Sequence, residues 1–182
     1  MPKREYSIDL IKQMAECDAN YIRLLRLMPA LAAHRQRDYS EFLEGERLGD
    51  TLRTAVLPRA EKALEGLRTV FTLAELESEP VTVEITILEA FKYTSTLEIV
   101  QRPVMRKWMT NPSMLIRVYH DASTAEVVSY QGHRNLEPRY AQPNPRMYQA
   151  DEKGQVNQFL GEWLSHCIAV GQSAETVWVS SR

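Results

Sequence analysis

Between residues 81 and 130 apolar and polar side chains take turns, and no stretch there carries the period of a helix. Val81, Val83, Ile85 and Ile87 alternate with Thr82, Glu84 and Thr86. A period of two lays each set along one face of an extended strand. Three more such runs follow, at 93–101, 114–120 and 125–130; in the first of them Leu97 and Ile99 oppose Thr94, Thr96 and Glu98. Four strands in succession with no helix between them predict antiparallel neighbours in one sheet. The connections agree: Ala90 to Lys92 make a turn, 102–113 is a longer link with Pro103 and Asn111-Pro112, and 121–124 is a short hairpin loop.

The flanks read as helices. Ser7 is a candidate N-cap for a helix running to about Met28, where Pro29 stops it. Along it Leu10, Met14, Cys17, Tyr21, Leu24 and Met28 recur at steps of four and three, a narrow seam. Such a seam lies on the chain's own sheet or pairs with a second copy, so a homodimer through the first helix is one expectation. Residues 30–38 read as a polar connector, and 39–57 and 58–73 as an inserted helical pair, the second led by Pro58. A last helix starts near Asp151 and stops at Gly171; Val177, Trp178 and Val179 in the tail suggest a short edge strand. The expected architecture is one α+β domain over residues 1–182. It has a four-stranded antiparallel meander (81–130), N-terminal and C-terminal helices (the latter 151–171) packed on one face, and a helical insertion at 30–79.

Composition excludes more than it selects. The charged start lacks the apolar core of a secretory signal, and no run reaches the roughly 18 apolar residues of a membrane span. The expectation is a cytoplasmic protein with no membrane partner. The two cysteines, Cys17 and Cys167, fall in helical apolar stripes and read as buried thiols. Histidines at 34, 120, 133 and 166 are scattered, with no pair at i, i+3 or i+4, and there is no CxxC, HExxH, GxSxG or glycine-rich phosphate loop. No metal site and no cofactor is expected, and no catalytic residue can be assigned.

Net charge is −2, but residues 101–149 hold seven Lys and Arg against three Asp and Glu. Arg134, Arg139 and Arg146 stand in one loop with Tyr140 and Tyr148, residue types that hold phosphates and stack bases. A pI near 6.1 falls short of the basic footprint of a nucleic-acid binder. Asp121 follows His120, and a carboxylate beside an imidazole orients a general base; Asp121 is equally a turn-starting residue. Glu152, at the start of the last helix, falls on the side of Val156, Phe159 and Trp163, where burial would raise a carboxyl pKa. Lys153 and Asn157, four apart on the edge of that stripe, fit an anion or a bond to the neighbouring loop.

Tyr119-His120-Asp121-Ala122, Ala125-Glu126-Val127, Pro143-Asn144 and the run Gln149-x-Asp151-Glu152-Lys153-x-Gln155-x-Asn157-x-Phe159-Leu160-x-x-Trp163-Leu164 resemble the YqiB-like family of uncharacterised proteobacterial proteins. The likeness covers the last two fifths of the chain closely and the first helix loosely. It implies a bacterial cytoplasmic protein, and it brings no activity, cofactor or catalytic residue; residues 30–79 depart from shorter members. The sequence therefore leads to a non-enzymatic binding or regulatory protein that recognises an anionic small molecule or a protein partner. Its surface would combine His120, Asp121, Arg134, Arg139, Arg146, Glu152, Lys153 and Asn157. The alternatives are a hydrolase-type enzyme using His120 and Glu152, or nucleic-acid binding through the basic aromatic loops.

Overall fold

The computed structural model describes residues 9–34, 64–76, 79–102, 112–131, 133–134 and 152–178. Helix α1 is Leu10–Leu27. Its cap is Asp9, whose carboxylate accepts the Lys12 backbone N–H at 3.0 Å. The expected cap Ser7 lies outside the described residues. A Met28 N–H to Leu24 carbonyl bond of 2.9 Å closes the helix, and residues 29–34 are helical again. The polar connector expected from residue 30 is thus corrected through residue 34. Pro29 opens that stretch at no cost because a first-turn N–H needs no helical partner.

The strands are β1 (Leu67–Leu76), β2 (Glu79–Ala90), β3 (Thr94–Arg102), β4 (Ser113–Tyr119), β5 (Thr124–Tyr130), β6 (His133–Arg134) and β7 (Gln172–Trp178), with helix α2 (Glu152–Val170) between the last two. They form one antiparallel sheet in the order β6-β5-β4-β3-β2-β1-β7. The four expected strands are β2 to β5, and the sheet is larger than four by β1, β6 and β7. Alternation sets the faces as expected. Val83, Ile85, Ile87, Leu97, Ile99, Met114, Ile116, Val118, Ala125 and Val127 are buried on one side. Glu84 and Arg68, which meet at 3.4 Å, lie on the other. Each buried Val, Leu or Ile side chain contributes about 1.5–3 kcal/mol.

One element changes type. Residues 67–73, read as the end of a helix, belong to strand β1. Leu64, Leu67, Val70 and Phe71 do mimic a helical period, but Gly66 sits at φ 80° in a turn, so no helix runs through it into residue 67. The run Thr69-Val70-Phe71-Thr72 is β-branched and aromatic, and Leu67, Thr69 and Phe71 are buried at strand spacing. The proposed helix at 39–57 lies outside the described residues.

Helix α2 explains how β7 reaches β1. It contacts both β5 and β1, which are four strand steps apart. Four steps span about 19 Å, and a helix of 19 residues is about 28 Å long. It therefore crosses the sheet obliquely. Gly171, whose N–H bonds the Cys167 carbonyl at 2.9 Å, then releases the chain into β7 on the far side of β1. Both helices lie against the apolar face, as expected, with α1 packed on α2 and β5.

Candidate functional site

Three groups of side chains outside the plain core stand out. The first joins α1, α2 and β5. Asn157 is buried on α2; its Oδ1 accepts the Val127 N–H at 2.9 Å and its Nδ2 donates to the Lys153 carbonyl at 2.8 Å. The Asn157 carbonyl in turn accepts from Asn20 Nδ2 at 2.9 Å. Among the described residues only His133 and Arg134 pair with the outer edge of β5, and the Asn157 amide satisfies the backbone N–H at Val127. Lys153 Nζ lies 2.6 Å from Glu126 Oε2, while Glu126 Oε1 accepts from the Tyr119 hydroxyl at 3.0 Å. Burial and the Glu126 carboxylate push the Tyr119 phenol above its usual range. Cys17 faces the same pair, and burial first, then the Glu126 charge, pushes its thiol up to about 11. Arg23 bonds Glu16 at 2.7 Å and Asn20 at 2.8 Å across from Gly161, where any Cβ would meet these three side chains.

The second group is interior. His120 Nε2 is 2.9 Å from the Ser95 hydroxyl. The ring stacks on His34 with centroids 5.9 Å apart and meets the Tyr21 ring edge-on at 6.1 Å. A hydroxyl and an imidazole at this distance can exchange a proton. Ser95 is wholly buried, however, and His120 is 8% exposed, so a substrate would have to enter the interior.

The third group is apolar and in water. On α1, Leu10 is 60%, Ile11 84%, Met14 67% and Ile22 59% exposed.

Of the residues expected to share one surface, the described ones stand in different settings. His120 points into the core and Asp121 outward, the opposite of an oriented pair on one face. The imidazole is held instead by Ser95. Lys153 and Asn157 do come together, in the α2 to β5 junction, and Glu152 stands half-buried in the first turn of α2. Arg134 is in β6, while Arg139, Arg146 and the cap residue Asp151 lie outside the described residues. Among the described residues no group of three or more His, Cys, Asp or Glu side chains could hold a metal ion. No helix among them is long and apolar enough to cross a membrane. Asn20, Ser95 and Glu126 were missed. Asn20 alone had a signal: it precedes Leu24 and Leu27 by steps of four and seven, and so stands on the buried face of α1.

A family model described as "Protein of unknown function (DUF1249)" matches residues 23–173. The uncharacterized protein YqiB of Escherichia coli strain K12 is 43% identical over 94 residues, covering 52% of this chain and 67% of the relative. The YqiB proteins of E. coli O6:H1 strain CFT073 and of E. coli O157:H7 match with the same identity and coverage. No solved structure matches the chain.

Proposed function

Since this chain belongs to the DUF1249 family, whose function is unknown, membership brings no activity with it, and we propose that it is a non-catalytic protein-binding module working through the exposed apolar side chains of α1. The observation that carries this reading is the exposure of Leu10, Ile11, Met14 and Ile22, between 59% and 84%, on a single helix. Large apolar side chains gathered in water are the usual mark of an interaction site. Among the described candidate residues, three polar groups that could serve an anion or a substrate are already bonded inside the molecule. Lys153 is neutralised by Glu126, Asn157 is committed to Val127 and Lys153, and His120 is bonded to Ser95. A photoreactive amino acid at position 11, irradiated in the native cell, tests the proposal. A discrete adduct is expected there and not at Arg117, an exposed position on β4. The same smear at both positions would refute it.

A further inference from the structure

We infer that His34 and His120 form an acid-released latch, in which stacked neutral rings hold the helical stretch 29–34 on the sheet and protonation drives them apart. The latch belongs to the interior and stands apart from the exposed side chains of α1. The stretch is anchored at its start, where Met28 and Leu31 are buried and the Leu31 N–H bonds the Met28 carbonyl at 3.0 Å. At its end the described contact is a ring. The half-buried His34 imidazole lies with its centroid 5.9 Å from that of His120, the two planes 19° apart.

Hydrogen bonding makes this contact selective for the neutral form. The Nε2 of His120, 2.9 Å from the Ser95 hydroxyl, can accept or donate there. His34 has no such latitude: its Nε2 is buried and, among the described residues, has no hydrogen-bond partner. A neutral ring can keep its proton on Nδ1, whereas an imidazolium carries N–H on both nitrogens and leaves a buried donor without an acceptor. A second positive ring at 5.9 Å adds like-charge repulsion. Among the described residues, Tyr21 meets the His120 ring from α1 and Ser95 from β3. From the β2 to β3 hairpin the Tyr93 carbonyl accepts the His120 N–H at 2.8 Å, with Lys92 Nζ 5.0 Å from the centre of the Tyr93 ring. Asp121 follows His120 and is exposed. Of these side-chain types only imidazole ordinarily changes charge between about pH 5 and 8. An opened chain hydrates both imidazolium ions, so it binds more protons than the latched one, and the latch weakens as pH falls.

Native-state hydrogen exchange on the full chain tests the latch, with opening read as each amide's rate relative to the unprotected rate at the same pH. Between about pH 7.5 and about pH 5, opening of residues 31–34 should rise about tenfold or more, while Leu97 and Ile99 of β3 change less. His34→Phe keeps a ring in the stack without a charge and should abolish the rise. Imidazole carbon shifts of the wild-type chain give a second readout that needs no variant: folded at about pH 5, the chain should not carry His34 and His120 both fully protonated. Two fully charged rings in the folded chain overturn the latch. So does a wild-type opening that ignores pH, a rise that survives His34→Phe, or an equal rise in β3.

Discussion

The two halves of α1 share one residue spacing and meet opposite surroundings. From Asn20 to Leu27 the seam is sealed against α2 and the sheet, with Tyr21 and Leu24 wholly buried. From Leu10 to Met14 side chains of the same kind stand in water. Periodicity thus says which face of a helix is apolar, and only the neighbours decide whether that face closes. In this molecule β5 and α2 close over the apolar side chains of the second half, whereas Leu10, Ile11 and Met14 of the first half stay exposed.

The comparison can be broken by substitutions that treat the halves alike. Leu24→Ala should lower the unfolding free energy by about 2–5 kcal/mol, the range for emptying a packed Leu site. Leu10→Ala, in monomeric protein, should cost under about 0.5 kcal/mol. Equal losses in urea melts would mean that the first half is packed after all.

Cys17 stands where the halves join. Its thiol, raised from 9.0 to about 11, should be alkylated at pH 8 on the order of 100-fold more slowly than an unperturbed thiol. Fast alkylation would show that the seam opens as far as residue 17. Cys167, raised to about 11 by burial, behaves as the reference. Because the fold favours the neutral thiols, unfolding releases protons between pH 9 and 11. Stability must therefore fall as pH rises through that window, and less steeply in Cys167→Ala.

Asn157→Ala should destabilise by about 1–3 kcal/mol, since the buried Val127 N–H loses its acceptor. Asn157→Asp keeps that acceptor and should recover part of the loss; identical melts for the two variants would remove the edge-sealing role. Lys153→Ala should cost no more than about 1 kcal/mol, because the Glu126 pair is partly solvated. A larger loss would mean that the junction, more than the seam, holds α1 in place.

The central strands were legible because β2 to β5 bury one face and wet the other, a contrast that survives in linear sequence. Strand β1 was not. Leu64, Leu67, Val70 and Phe71 fit a helix as well as a strand, and only its partners β2 and β7 settle the matter. The candidate site was less legible still. The acceptor role of Asn157 depends on Val127, thirty residues away, and its carbonyl serves Asn20 at a separation of 137. Local pattern cannot announce such bonds. His120 was misjudged for a related reason: its place after β4 continues the inward alternation of Met114, Ile116 and Val118, so the strand carries the imidazole into the interior before the turn exposes Asp121.

The order of the strands carries a kinetic consequence. Hairpins from β2 to β5 join residues close in the chain and can close early, whereas Leu67 must find Trp178 from across most of the sequence. Loop closure over that distance is favourable only after α2 has been laid down, so the β1 to β7 ladder should zip last and unzip first. Native-state hydrogen exchange would register this as faster amide turnover in β7 than in β3; equal protection would indicate a single cooperative collapse.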